Sequence, residues 1–561
     1  MSRAAVEPKS EVELVALARA LGASRVGPLS EPERRLLARA RSASVDAVRA
    51  FERAIGRAED PLGEAFCRLR PPTVRRKLGA TYTPEPLVRS MIAWTARHEP
   101  ERVVDPGAGS GRFLVAAGRA FPKASLVAVE TDPTAALLCR AHLHTAGLAR
   151  RARVIVRDYR ELELPEIDGR TLFVGNPPYV RHHGIERRWK RWLSETAATF
   201  ELSASQLAGL HVHFALRTAE LGRAGDYGAF VTAAEWLDVN YGALLRALVV
   251  GPLGGRSLHA IAPGARVFAD ADTTAVVTCF EIGPNPAMVR ARTVTDLSKL
   301  GSLSAGREIP RERLARAPRW TAFFERTGEP RNGSSNGSAP KRAGFVELGE
   351  LCRVHRGQAT GKNRVWIAGA HSRMLPASVL YRTVTRAREL FLAGDVLDNG
   401  AELESVIDLP AELDRLPAAE RRAVERFLGV ARSLGADRGF IAEHRKRWWA
   451  VGLREPAPIL ATYMARRPPA FVLNLARARH INVAHGLYPR ERLSRASLGA
   501  LARYLGSATR LADGRTYAGG LTKFEPKEME RLLVPGPSAL SSLAEEIPRG
   551  GSRALTSRGI R

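Results

Sequence analysis

Cysteine is scarce: the chain has four in 561 residues, Cys67, Cys139, Cys279 and Cys352, and no two form a Cys-x-x-Cys pair. That spacing argues against a disulfide framework and a zinc knuckle and fits a reducing interior. Long apolar runs are lacking as well. No uninterrupted stretch approaches the roughly 20 residues needed to span a bilayer. Glu13, Arg19 and Arg25 interrupt the apolar pattern near the start, so no signal segment or membrane anchor is expected, and a soluble cytoplasmic protein is. Internal repeats and coiled-coil heptads are absent. Acidic residues are few beside basic ones, 58 against 86, which leaves a formal net charge of +28. Such an excess favours a polyanionic partner such as nucleic acid. Arginine usage in a high-GC genome inflates the same count, so charge alone identifies no partner.

With 45% hydrophobic residues, the chain can bury a sizeable core, and its length suits more than one domain. From about Glu11 to Arg76, apolar positions such as Leu14, Leu17, Leu21, Val48, Phe51 and Ile55 recur at helical spacing, which predicts a small helical region over residues 1–78. Short β-rich runs then alternate with helical patterns: Arg102 to Val104, Ser125 to Val129, Val154 to Val156, Leu172 to Val174, Gly228 to Thr232 and Thr274 to Phe280. The alternation predicts an α/β domain over 79–290, with a mostly parallel sheet covered by helices on both faces. Residues 291–344 read as a connector ending in TGEPRNGSSNGSAPKRAG, a stretch without apolar anchors. A second, basic domain is expected over 345–537, followed by a disordered tail over 538–561.

Arg102 to Phe113 reads RVVDPGAGSGRF, a strand, a glycine turn and the start of a helix. Glycines there let the backbone approach a ligand at the helix N-terminus. Alone, the pattern fits a dinucleotide site or merely a tight turn. The next strand ends in Glu130, where an acid can accept both hydroxyls of a ribose, and the third leads to Asp158 and Tyr159, a carboxylate for an adenine amino group beside an aromatic wall. Nicotinamide binding shares the first two features.

The fourth strand and its exit argue against a nicotinamide site. Thr171 to Gly175 leads directly into Asn176-Pro177-Pro178-Tyr179. The prolines stiffen the strand exit, so that the Asn176 side chain and the Pro177 carbonyl can be aimed together. An exocyclic amine is a poor nucleophile because its lone pair is delocalised into the ring. Two acceptors holding its hydrogens favour a pyramidal, more nucleophilic nitrogen, and no strong general base is then required. Tyr179 offers a face on which an extrahelical base can stack. Alternatively, the tetrapeptide is only a rigid strand exit with a packed aromatic.

These residues resemble the amino-methyltransferases of restriction-modification systems, in the branch whose cofactor motif comes first, catalytic motif next and target-recognition domain last. The resemblance implies a Rossmann-like class I S-adenosylmethionine-dependent fold with a mixed α+β recognition domain. It covers most of the chain from Gly79 to about Pro535. Thr81, Tyr82 and Thr83 resemble the segment that closes over the methionine end of the cofactor. Asp105, Gly107 and Gly109 match the glycine motif, which here has Gly107-Ala108 where Ala-Cys is commonest. Glu130 matches the ribose acid, Asp158 and Tyr159 the adenine-contacting pair, and Asn176, Pro177, Pro178 and Tyr179 the catalytic tetrapeptide. Glu235 to Gly242 resembles the loop and helix after a later strand, and Val267 to Asp272 the motif before the last hairpin, which makes Phe268 a second stacking candidate.

Phe345 to Leu351, Arg356 to Asn363 and Gly519 to Glu528 resemble the opening and closing segments of target-recognition domains. Arg356, Lys362 and Asn363, with Arg364, Arg466 and Arg467, are candidate contacts to double-stranded DNA. No metal-binding nuclease constellation is visible, so cleavage is assigned to a separate restriction endonuclease. The resemblance implies methyl transfer to adenine N6. Cytosine N4, a glutamine or RNA amino-methyltransferase, and a catalytically silent DNA-binding subunit are the competing readings.

Overall fold

In the computed structural model, the described residues are 7–71, 74, 83–262, 274–283, 285–324, 344–465, 467–517 and 521–545. The chain forms two compact units that divide between residues 327 and 328.

In the first unit, Val103 and Val104, Leu126 to Val129, Leu172 to Val174 and Ala229 to Val231 are buried on both faces of their strands. This is the pattern of inner parallel strands covered on two sides. Among the described residues nine strands form one sheet: β1 (Arg102–Asp105), β2 (Ser125–Glu130), β3 (Ala152–Val156), β4 (Thr171–Gly175), β5 (Tyr227–Ala233), β6 (Gly255–Ile261), β7 (Ala275–Glu281), β8 (Met288–Val294) and β9 (Arg307–Pro310). Their spatial order is β3-β2-β1-β4-β5-β7-β6-β8-β9. The strands from β3 to β5 are parallel, and β7 runs antiparallel between β5 and β6. This is the mostly parallel sheet, covered by helices on both faces, that the alternation of strands and helices predicts.

Among the described residues, four α-helices form before residue 71: α1 (Glu11–Ala20), α2 (Glu31–Arg39), α3 (Val45–Gly56) and α4 (Pro61–Leu69). Helices α5 (Glu85–Thr95), α6 (Arg112–Ala120) and α7 (Pro133–Thr145) bring Leu87, Met91, Leu114 and Cys139 onto one face, against Val103, Leu126 and Leu172. The opposite face is covered by α8 (Arg187–Thr199), α9 (Leu210–Leu221) and α10 (Ala243–Val250), whose Leu193, Val212, Leu216 and Leu245 pack on Val104, Phe173 and Phe230.

Two expected boundaries shift. The first four helices are not a separate region: Leu14, Leu17, Phe51 and Ile55 share a core with Leu137, Leu138 and Ala141 of α7. Arg140 of α7 is buried against the equally buried Glu33 at 2.6 Å. It also donates to the carbonyls of Val26, Pro28 and Val154. Residues 291–324 are not a connector either, because β8 and β9 extend the sheet and Trp320 is fully buried.

The second unit is mixed α+β, as expected. A five-stranded sheet runs Cys352–Arg356, Ala484–Pro489, Ile459–Thr462, Phe471–Asn474, Val396–Leu397 in spatial order. Helix Arg495–Ala508 contributes Ala500, Leu501 and Leu505 to its core. A neighbouring core gathers Val365, Trp366, Val424 and Phe427 around helix Ala418–Ser433. The start of the expected tail is ordered: Pro537–Glu545 is a helix with Leu540 buried. Among the described residues, no helix is long and apolar enough to cross a membrane, no group of three or more His, Cys, Asp or Glu could hold a metal ion, and Cys139, Cys279 and Cys352 are buried thiols.

Candidate active site

β1 lies between β2 and β4. The chain leaves β1 towards β2 and returns on the other side at β4, and such a reversal opens a crevice at the carboxyl ends of the two strands. The glycine turn follows β1 and the Asn-Pro-Pro-Tyr segment follows β4, so topology brings the two motifs together. Glycines permit the approach. A Cβ on Gly175 would lie 2.5 Å from Asp105 Oδ1, and one on Gly107 would lie 3.5 Å from Pro178 Cδ and 3.8 Å from the Asn176 carbonyl oxygen.

Within the turn, Gly109 and Gly111 have φ of +52° and +85°, values that favour glycine. A Cβ on Gly111 would strike Cys139 Sγ at 2.8 Å, whereas Gly109 faces open space. Asp105 is 1% exposed. Its Oδ1 accepts from the Gly107 amide at 3.3 Å, and among the described residues Oδ2 has no hydrogen-bond partner. Burial pushes this carboxyl up to about 8. Glu130 bridges β2 and the turn, with Oε2 accepting from Gly109 N at 2.9 Å and Oε1 from Thr131 N and Asp132 N at 2.8 and 2.9 Å. Burial raises its pKa, against the lowering pull of these amides.

The Asp158-Tyr159 pair differs from expectation in one half. Burial pushes Asp158 up, but bonds from Arg160 outweigh it and hold the carboxyl below its ordinary value. Arg160 Nε and Nη2 reach the two carboxylate oxygens at 2.9 and 2.6 Å. Tyr159 is no open aromatic wall. Its ring is 1% exposed, packs at 5.0 Å on Phe214, and its hydroxyl lies 3.0 Å from Thr218 Oγ1. The core behind β3 needed a large apolar body there, so only the Tyr159 main chain remains for a ligand.

At the β4 exit, Asn176 Nδ2 donates to Thr83 Oγ1 at 3.0 Å. The bond fixes the amide plane and leaves its oxygen as the acceptor end. Arg112 holds the Thr83 carbonyl at 2.9 Å. Thr83, read in sequence as a cofactor contact, therefore also orients the Asn176 side chain. Tyr179 is half-buried, its hydroxyl donates to the Val231 carbonyl at 3.3 Å, and burial raises its pKa. The segment is then tied to α9, because Leu210 N donates to the Val180 carbonyl at 2.9 Å.

Some supporting residues were not foreseen from sequence. Asp60 caps α4 through Gly63 N and accepts from Ser110 Oγ at 2.5 Å and Arg112 Nε at 3.3 Å, so the N-terminal helices brace the glycine turn. The Asp60-Pro61 pair is a legible helix start, but its second use depends on a contact 50 residues away.

The N-6 DNA Methylase family profile matches residues 63–232. The C-terminal domain of Type II methyltransferase M.Eco57I matches residues 338–551. Type II methyltransferase M.XamI of Xanthomonas campestris pv. amaranthicola is 52% identical over 477 residues, covering 85% of this chain and 87% of that protein. The chain belongs to the type II methyltransferases of the N-6 DNA methylase family. The methyltransferase is also 21% identical to Type II methyltransferase M.AccI of Acinetobacter calcoaceticus, over 82% of this chain and 86% of that one. It shares its fold, at a TM-score of 0.52 and 12% identity, with the type IIL restriction-modification enzyme MmeI in complex with DNA, over 80% of this chain and 69% of that chain.

In the second unit of the methyltransferase, Arg356 is exposed at the end of its strand. It reaches Tyr463 Oη at 3.1 Å, with its guanidinium 5.3 Å from the ring centroid. Lys362 corrects its expected role: Nζ donates to the carbonyls of Leu434 and Gly435 at 2.6 and 3.1 Å, which caps helix Ala418–Ser433 and commits the ammonium internally. Asn363 is exposed but accepts from Thr360 Oγ1. Arg364 leans towards the same Leu434 carbonyl, and Arg467 stacks on Phe391. Thr81, Tyr82, Phe268 and Arg466 lie outside the described residues, as do Val267 to Asp272 and most of the linker.

Proposed function

We propose that the methyltransferase transfers a methyl group from S-adenosylmethionine to the N6 amine of an adenine extruded from duplex DNA, by direct in-line displacement. One observation carries the reading. The glycine turn and the Asn-Pro-Pro-Tyr exit meet at neighbouring strand ends, so close that a Cβ on Gly107 would touch Pro178 and the Asn176 carbonyl oxygen.

The residues at the turn fit the cofactor. Asp105 has a buried oxygen in need of a donor, open space lies over Gly109, and the Glu130 carboxylate has lone pairs beyond its three amide bonds. Asp105 takes a cationic N–H group, Glu130 the ribose hydroxyls, and Asp158 with the Tyr159 main chain the adenine edge. Thr81, Tyr82 and Thr83 border the methionine end. When bound, S-adenosylmethionine supplies an electrophilic methyl group on a sulfonium centre.

The chain does the rest by positioning and polarisation. Thr83 holds the Asn176 amide by its nitrogen, and the amide oxygen and the Pro177 carbonyl accept the two hydrogens of the target amine, localising its lone pair. Pro177 and Pro178 hold the two acceptors in register. Tyr179 stacks on the extruded base, with Phe268 as a second aromatic, offsetting part of the few kcal/mol spent on unstacking. The second unit reads the target sequence, with Arg356 and Asn363 among its contacts. A separate endonuclease performs cleavage in the corresponding restriction-modification or phage-defence system.

Counting labelled methyl groups on duplex DNA, RNA and protein tests the assignment. Incorporation into adenine of duplex DNA alone is expected. Incorporation into glutamine, RNA or cytosine N4 would overturn it.

A further inference from the structure

Between the catalytic tetrapeptide and α9 the chain makes an excursion over residues 181–209. The Leu210 amide closes it on the Val180 carbonyl at 2.9 Å, so the loop begins and ends at the β4 exit. Its helix α8 has two unlike faces. Trp189, Leu193, Thr196 and Ala197 are buried at helical spacing. Trp189 lies under the Arg160 guanidinium, 3.9 Å from the ring centroid, and Arg160 is itself bound to Asp158. The helix is thereby seated on the floor of the adenosine side of the site.

The outer face is basic. From 181 to 192 the sequence is RHHGIERRWKRW, five Lys or Arg against one acid. Arg181, Arg187, Arg188 and Arg191 are exposed and Lys190 is half-buried. Arg188 is engaged by Glu186 at 3.0 Å and faces Glu161 at 3.9 Å. Among the described residues, no ion pair is formed by Arg181, Arg187, Lys190 or Arg191, although Glu195 and Glu201 lie further along the excursion. The His182 and His183 rings are 3.8 Å apart. Burial, with His183, Lys190 and Arg181 nearby, holds His182 below its ordinary pKa. Arg187 and Arg191, four residues apart, share one helix face despite their repulsion.

We propose that the outer face of α8, through Arg187 and Arg191 with Arg181 and Lys190, is a phosphate-binding surface that grips the DNA backbone beside the extruded base. The proposal rests on the DNA-methyltransferase reading above. Cations without acid partners among the described residues, on a helix anchored by the buried Trp189, suit a linear polyanion, and the excursion's closure at the β4 exit puts the grip where the duplex must be held while a base leaves it. Such contacts carry no sequence information and act equally on cognate and non-cognate DNA.

The test is the salt dependence of duplex binding by the full chain, comparing the unsubstituted protein with Arg187→Gln/Arg191→Gln. Each lost phosphate contact lowers the slope of log K against log salt by about 0.9, so a drop of up to about two is expected, equal on specific and random duplexes. Turnover at saturating DNA and low salt is retained, Arg187→Lys/Arg191→Lys restores most of the slope, and Arg188→Gln, whose cation is already paired, changes it least. An unchanged slope in a double-glutamine variant that still methylates DNA would overturn the phosphate surface alone. Failure of the unsubstituted protein to methylate duplex DNA would overturn this surface and the function together.

Discussion

Replacing Thr83 by Val removes one hydroxyl and changes little else. The side chain is 4% exposed, the two residues have similar size and branching, and the main-chain bond from Arg112 to the Thr83 carbonyl is kept. What is lost is the acceptor for Asn176 Nδ2 at 3.0 Å. Taking that acceptor from a partly buried amide N–H costs about 1–3 kcal/mol. The Asn176 side chain will recover part of that by rotating, which takes its oxygen away from the target amine. If about 1–2 kcal/mol of the loss is felt only in the transition state, kcat falls about 5- to 30-fold. Because the perturbed group acts on the amine and not on docking, the DNA dissociation constant and the cofactor dissociation constant stay within about twofold. Single-turnover methylation at saturating DNA and cofactor, with separate equilibrium binding of each, makes the distinction. Unchanged kcat, or a loss explained wholly by weaker cofactor binding, would refute the positioning role and leave Thr83 as a cofactor contact only.

The same geometry sets three further outcomes. Asp105 is held up to about 8 by burial, so in the empty site it is protonated at neutral pH, and a cationic ligand must expel that proton; cofactor affinity should rise about tenfold per pH unit from 6 to 8 and then flatten, and titration calorimetry in buffers of different ionisation enthalpy should find about one proton released at pH 7. Since the folded pKa is raised, the same group's contribution to stability in the ligand-free protein is present below about pH 4 and lost as pH climbs through 8, and pH-independent affinity would contradict both statements. Tyr179→Phe loses the hydroxyl and with it the bond to Val231, roughly 1 kcal/mol, while Tyr179→Ala also loses the stacking face, about 1–3 kcal/mol more, so the alanine variant should be the slower in single turnover; equal losses would argue for a role of the hydroxyl. Asp60→Ala removes a helix cap and leaves the partly buried Arg112 without its carboxylate, which should cost about 3 kcal/mol, lower the first unfolding transition by several degrees and weaken cofactor binding through the glycine turn; a thermal scan with unchanged midpoint would contradict the brace.

The inner half of the sheet was legible because strands buried on both faces read as continuous aliphatic runs; five of the six predicted runs fall within strands, and the sixth starts one residue early, at Thr274. β8 was not legible: Met288–Val294 alternates exposed and buried positions, and Arg290 and Arg292 on its outer side make it look like connector. The strand ends with their glycines and acids could be aligned on the motifs, but not the partners those acids already hold. The Gly109 amide on Glu130 and Thr83 on Asn176 are set by tertiary approach, the latter between residues 93 apart. Tyr159 shows the limit from the other side. Its place beside an acid at a strand end reads as a ligand wall, yet the short 3-10 turn Tyr159–Glu161 carries its ring into the core. Lys362 shows the same for surface charge, since a basic residue in a recognition segment is as readily spent on the end of a neighbouring helix.

The most direct test of the central claim, that the Asn176 exit acts on a base amine beside the glycine turn, is single-molecule sequencing of DNA from cells expressing the chain alone, with Asn176→Ala in parallel. N6-methyladenine in one short sequence context for the native chain, and its disappearance in a variant that still binds DNA, is the result expected. Unmodified adenine with the native chain, or methylation that persists in the variant, would contradict it.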